Sequence, residues 1–228
     1  MNLHSSEEII AYLKTLSNPE NVTGMARFGI NPENTLGISM PVLRATAKQV
    51  GKDHRLAQEL WVSGIHEARI LAALVDEPTK VTPGQMDAWA ADFDSWDVCD
   101  QACANLFDRT PHAPGKALEW SERPEEFVKR AGFAMMACLA WHDKKAEDAL
   151  FENFLPAILR EATDERNYVK KAINWALRQI GKRDRNLNAQ AIQVAQQMAQ
   201  LPGKAPRWNA ADALRELTDP KMQCRLKD

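Results

Sequence analysis

The feature that most constrains this chain is an internal repeat. Phe127-Val128-Lys129-Arg130-Ala131 recurs 41 residues later as Tyr168-Val169-Lys170-Lys171-Ala172, and both copies follow acidic residues and open an apolar run at helical spacing. A fainter copy, Arg207-Trp208-Asn209-Ala210-Ala211, begins 36 residues beyond Lys171, and Glu67-Ala68-Arg69-Ile70-Leu71-Ala72-Ala73 has the same character. A period of roughly 40 residues with two helices per unit is the spacing of HEAT and armadillo arrays. A single pair cannot bury its apolar face, so pairs stack. The expected fold is all-α: a HEAT-like helical-repeat solenoid, an α-α superhelix with a concave groove. The chain of 228 residues is expected to form one such domain over 1–228.

Local signals agree. Ser5–Ser6 ahead of Glu7–Glu8 is an N-cap with acid in the first turn, followed by Ile9, Ile10, Leu13 and Leu16 at helical spacing. Further helices are predicted over about 41–51, 54–63, 66–76, 83–93, 95–108, 114–121, 124–140, 144–161, 165–181, 188–200 and 204–217. Breaks fall at Pro78, Pro83, Pro111, Pro114, Pro124, Gly181, Pro202–Gly203 and Pro220. The Gly/Pro/Asn-rich stretch from Gly24 to Pro41 predicts a long connection with a short helix.

Composition removes several function classes. No apolar run approaches the roughly 18–20 residues of a membrane span. The opening MNLHSSEEII lacks the basic-then-apolar order of a signal peptide, so a cytoplasmic protein without membrane association is expected. Cys99 and Cys103 are four apart, a spacing that a helical metal site uses, but no second Cys/His pair follows. Small apolar residues on a buried helix face is the better reading, and neither metal nor cofactor is expected.

A net charge of −2 argues against a generic nucleic-acid binder, yet the average hides a polarity. From Gln58 to Asp100 there are nine acidic residues against Arg69 and Lys80. From Glu165 to Arg185 seven basic residues face Glu165 and Asp184, a local positive field. Arg130, Lys170, Lys171 and Arg207 occupy matching places near helix starts in successive repeats, where Lys, Arg and helix N-terminal amides bind phosphate oxygens. A solvated charged face is the plainer alternative.

Among seven tryptophans, Trp61 and Trp89 lie on apolar stripes and read as core, while Trp120, Trp141 and Trp208 are open. Trp96 and Trp175 are distinctive, Trp175 because it follows the Lys170–Lys171 pair by one turn. Asp97 reads as a first-turn acid favouring the helix dipole. Asp100 follows Trp96 by four residues, so both share one helix face. It caps something, pairs with Arg130, or is a carboxylate held for a cationic ligand. No P-loop, GxSxG, HExxH or glycine-rich dinucleotide turn occurs.

Ser95-Trp96-Asp97-Val98-Cys99-Asp100, Val128-Lys129-Arg130-Ala131 and Val169-Lys170-Lys171-Ala172-Ile173-Asn174-Trp175-Ala176-Leu177-Arg178 together resemble the signature of the AlkD-like DNA alkylation repair enzymes, bacterial DNA glycosylases built of HEAT-like repeats. Gly24-Met25-Ala26-Arg27-Phe28-Gly29-Ile30 resembles the family's corresponding N-terminal segment, so the similarity runs from about residue 20 to 218. The resemblance implies that Asp100 is the catalytic carboxylate, that Trp96 and Trp175 flank the lesion, and that Arg130 holds the DNA backbone. It implies excision of N3- and N7-alkylated purines from double-stranded DNA without full extrusion of the base. Phe28, Lys129, Lys170, Lys171, Arg178, Lys182 and Arg207 are the expected DNA-binding residues. The chain departs from the family's pattern at Ser95, often an aromatic, and at Phe28, often a tyrosine.

The expected activity is thus a monofunctional DNA-alkylpurine glycosylase, acting as a monomer. No lysine stands out as a desolvated nucleophile, so lyase chemistry is not expected. The alternatives are a non-catalytic HEAT-repeat DNA-binding protein and a protein-interaction scaffold.

Overall fold

Ser5 opens the first helix through a complete capping box: its hydroxyl accepts from the Glu8 amide, and the Glu8 carboxylate accepts from the Ser5 amide. The same logic starts several later helices. Asn18, Asp53, Thr82 and Asp184 each accept, through a side-chain oxygen, from amides of the first turn that follows. The computed structural model describes residues 3–227, whose regular structure is all helical with no strand. They divide into two compact units, Met1–Thr110 and Pro111–Asp228. Among the described residues, no helix is long and apolar enough to cross a membrane.

The first unit holds α1 (Ser6–Thr15), α2 (Pro19–Arg27), α3 (Met40–Val50), α4 (His54–Val62), α5 (His66–Val75), α6 (Pro83–Ala91) and α7 (Trp96–Asn105). Helix α5 is its axis, packing against α3, α4 and α7. Ala68, Leu71, Ala72, Ala73 and Val75 on α5 have no exposure, so small and branched residues let the neighbours approach closely. Trp61 and Trp89 are buried and stacked, with ring centroids 3.9 Å apart.

The second unit holds α8 (Ala113–Ser121), α9 (Glu126–His142), α10 (Asp148–Glu152), α11 (Leu155–Arg160), α12 (Asn167–Ile180), α13 (Arg185–Gln200), α14 (Lys204–Leu217) and α15 (Pro220–Gln223). Helix α9 is buried from Val128 to Ala140 and packs between α8 and α12. Helix α12 in turn packs on α14, so the three helices that carry the repeated motif lie side by side. The repeat's apolar positions match in burial: Val128 and Val169, then Ala131 and Ala172, are all buried, and the Phe127 and Tyr168 rings lie 5.6 Å apart.

Four predicted segments differ in detail. The helix expected over 144–161 is two short helices, α10 and α11, because Pro156 in the first turn of α11 lacks an N–H and clashes with the preceding turn. The helix expected from 188 starts at Arg185, where Asp184 caps it. The helix expected over 95–108 ends at Asn105 and is followed by a 3-10 turn, Phe107–Arg109. In the segment read as a long connection, α2 already reaches Arg27, and the connection proper runs over residues 28–39.

Candidate nucleic-acid interface

In the first unit, long-range bonds hold the start of α7. Ser95 stands at the N-cap, but its buried hydroxyl accepts from the Asn31 amide at 2.9 Å instead of capping its own helix. The Asn31 side chain donates to Asp94 at 2.9 Å. Trp96, the first helical residue, is half-buried and donates from Nε1 to the Phe28 carbonyl at 3.1 Å. Asp100, one turn further on, is half-buried, whereas Val98, Cys99, Ala102, Cys103 and Leu106 around it are buried. The cysteines therefore sit on the packed side of α7. The carboxylate sits at the margin, on the face that carries Trp96.

Asp97 does more than favour the helix dipole. Its Oδ2 lies 2.9 Å from Nε2 of His66, whose side chain is only 3% exposed. Burial alone would lower the proton affinity of His66. The Asp97 hydrogen bond, aided by the charges of Asp97, Glu67 and Asp94, outweighs it and holds the imidazole above its ordinary value.

The neighbouring Glu67 is fully buried and accepts three backbone amides, Leu36 at 2.8 Å, Gly37 at 2.6 Å and Ile38 at 3.1 Å. Gly37 supplies the positive φ of 79° that this close approach needs. The connection over 28–39 is thus stapled to α5 and α7, and Phe28 nonetheless remains 74% exposed. Nothing in the sequence signalled the Glu67 staple, because its three partners lie about 30 residues away.

In the second unit, Arg130 is buried and donates from Nη1 to the Tyr168 carbonyl at 2.6 Å, tying α9 to the start of α12. Lys129 is also buried. Its Nζ lies 2.6 Å from Glu161 and 3.9 Å from Asp164. Burial pushes both carboxyls up, but hydrogen bonds from Lys129 and Arg160 hold Glu161, and chiefly those from Arg166 hold Asp164, below the usual range.

Lys170 is half-buried with Nζ 5.2 Å from the Trp208 ring centre, a cation–π contact, and Trp208 itself is 42% exposed. Lys171 and Arg207 are exposed, Arg207 donating to the Gly203 carbonyl at 2.7 Å. Lys171, Trp175, Arg178 and Lys182 follow helical spacing and form one partly exposed stripe. Arg178 and Lys182 both bind Glu216, at 2.5 and 2.9 Å. Among the described residues, no His/Cys/Asp/Glu group is arranged to hold a metal ion.

The three motif helices and α7 share a register that the repeat only hinted at. Asp100, Arg130, Lys171 and Trp208 are each the fifth residue of their helix. Trp208, left open in the sequence, belongs with the cations of its unit, and its place directly after Arg207 in the faint third copy was the available signal. Chemically, the first unit offers an indole and a half-buried carboxylate on one helix face. The second offers cations and indoles near helix starts, a combination suited to phosphate and to base faces.

A model of the DNA alkylation repair enzyme family matches residues 9–217. No curated protein matches the chain by sequence. Among solved structures, the chain is similar to a protein described as one of "a new family of proteins related to the HEAT-like repeat DNA glycosylases with affinity for branched DNA structures". The two are 16% identical, 96% of each chain is covered, and the TM-score is 0.79, a likeness of fold. The HEAT-like repeat architecture expected from the period is therefore the observed fold, and the family match extends over nearly the whole sequence. The chain belongs to the DNA alkylation repair enzyme family.

Proposed function

We propose that this protein is a monofunctional DNA glycosylase that releases N3- and N7-alkylated purines from double-stranded DNA. The observation that carries the reading is the placement of Asp100, a half-buried carboxylate one turn from Trp96 on a helix whose start is pinned by three hydrogen bonds to Phe28 and Asn31. An alkylated purine of this kind already bears a positive charge. The C1′–N bond therefore breaks with its electron pair going to the base, which leaves neutral without a general acid. Water adds to C1′ and gives up a proton, and a carboxylate both stabilises the cationic sugar and orients that water. Placed charge of this kind is commonly the largest catalytic contribution. An indole face attracts a cationic base by about 0.5–2 kcal/mol, so Trp96 favours charged lesions over neutral bases.

Lys170, Lys171 and Arg207 take phosphates in this reading. Lys129, Arg178 and Lys182 reach phosphate only by leaving Glu161 and Glu216. The test is base release from duplex containing N7-methylguanine or N3-methyladenine. Asp100→Asn should slow it about 10²–10³-fold, the scale of losing one preorganised electrostatic group. Unchanged excision would remove Asp100 from the role. Salt-dependent DNA binding with no base release by the wild-type protein would establish instead a DNA binder without catalysis, closer to the branched-DNA affinity named for the similar structure.

A further inference from the structure

Beside Trp96, in the first unit, lies a cavity of about 560 Å³ whose walls include Gly24, Met25, Phe28, Ile30, Ile38 and Trp96. Its size is within the range of ligand pockets, roughly 300–1,000 Å³. Three observations say what it takes. Phe28 is 74% exposed although the chain around it is stapled by Glu67 and by the Ser95 and Trp96 bonds, so the ring is presented by rigid structure.

The polar groups at the cavity are Glu20, Asn21 and Ser39, with no lysine or arginine. A carboxylate without a cation repels phosphate and accepts from an amino group. Arg27, next in the chain to Phe28, is exposed and supplies charge for a flanking phosphate.

Gly24 is the third observation. It lies mid-helix in α2, where glycine costs about 1 kcal/mol relative to alanine. Gly37 has positive φ, and a Cβ on Gly132 would lie 2.5 Å from the Ser121 amide nitrogen, so glycine is required at both. A Cβ on Gly24 would meet nothing within 4 Å. Neither backbone nor packing requires glycine at this position, and its effect is to leave the cavity open.

We propose that this cavity binds one unpaired nucleobase carrying an exocyclic amino group, stacked on Phe28 and hydrogen-bonded through Glu20 and Asn21. The proposal rests on the DNA-binding part of the function above and not on its chemistry. The cavity gives the protein a preference for DNA with an unpaired base over fully paired DNA.

The experiment compares a duplex carrying a single-base bulge with the same duplex fully paired, using the whole chain. With 2-aminopurine in the bulge, the wild-type protein should quench its fluorescence. It should also bind the bulged DNA about tenfold tighter than the paired one, the scale of one base–aromatic stack. A cytosine bulge should bind more tightly than a thymine bulge, which lacks the amino group. Gly24→Leu, which projects a branched side chain into the cavity, should abolish quenching and preference. Gly24→Ala, which fills little of it, should keep both and raise thermal stability.

Preference retained in Gly24→Leu, no quenching by the wild type, or no binding to either DNA overturns the proposal. So does a change of solution mass in Gly24→Leu with bulge binding unaltered, which would mark the cavity as a protein contact. Base release is read in a separate assay, so failure of the glycosylase reading and failure of this one are told apart.

Discussion

The Trp96 indole N–H donates to the Phe28 carbonyl oxygen at 3.1 Å across 68 residues of sequence. One bond thereby fixes both the aromatic wall beside Asp100 and the end of α2 that presents Phe28. Trp96→Phe keeps a ring and loses the bond. Because the bond lies at the surface, stability should fall by about 0.5 kcal/mol, the low end for a hydrogen bond. Base release should fall much further, since ring position is lost. Urea unfolding set beside single-turnover excision checks the contrast, and a loss confined to stability would count against the positioning role.

Glu67→Gln tests the staple. Oε1 serves the Gly37 and Ile38 amides and Oε2 serves Leu36, so an amide side chain must set an NH2 against a backbone N–H. In a buried site the cost should be about 1.5–3 kcal/mol, measured by chemical denaturation.

The His66–Asp97 pair gives the first unit a pH dependence. The folded-state value of His66 is raised, so its contribution to stability is fully present below the unfolded value near about 6.5 and is lost as pH rises through the folded value. Unfolding free energy measured from about pH 5 to about pH 9 should decline through that window. His66→Asn should flatten the decline, and an unchanged slope in that variant would dismiss the pair as its source.

Glu216→Ala should release Lys182 and loosen Arg178, which keeps the Asp212 carboxylate 3.6 Å from its Nε. These are half-exposed pairs, so stability should change by less than about 1 kcal/mol. If the freed cations reach phosphate, DNA affinity rises and the slope of log K against log salt steepens by up to about 1.8, or 0.9 for each phosphate contact. A salt titration of binding checks it.

Gly132→Ala should destabilise the second unit by about 1–3 kcal/mol or more. The added methyl meets backbone at the end of α8, with the Ser121 amide nitrogen 2.5 Å and the Ala117 carbonyl oxygen 2.9 Å away, and backbone cannot rotate aside. Thermal denaturation reads the effect.

Much of the fold was legible because helix signals are local. Ser5 caps an amide three residues away, Asp53 and Asp184 do the same, and the match of Val128–Lys129 to Val169–Lys170 placed two helices in one register. The break at Pro156 was also visible, and a single helix over it was the wrong reading. The candidate site was legible in residue type and less so in state. Lys129 and Lys170 occupy the same motif position, yet Lys129 is buried against Glu161 while Lys170 lies over Trp208. Trp120, Trp141 and Trp208 all read alike, and only packing made the first buried and the other two exposed.

By itself the sequence determined the helices, their caps and the repeat, since each depends on side chains reaching backbone within one or two turns. It also set which residues carry charge and which carry rings. The tertiary structure decided which of those groups are satisfied. The carboxylate of Glu67, the imidazole of His66 and the ammonium of Lys129 find partners about 30 residues away, at distances set by how whole helices pack. A buried polar group must be paired, and the pairing depends on the approach of two elements, which no local pattern encodes. The same approach leaves Phe28 and Gly24 facing open space, the part of the molecule that the bulge experiment addresses.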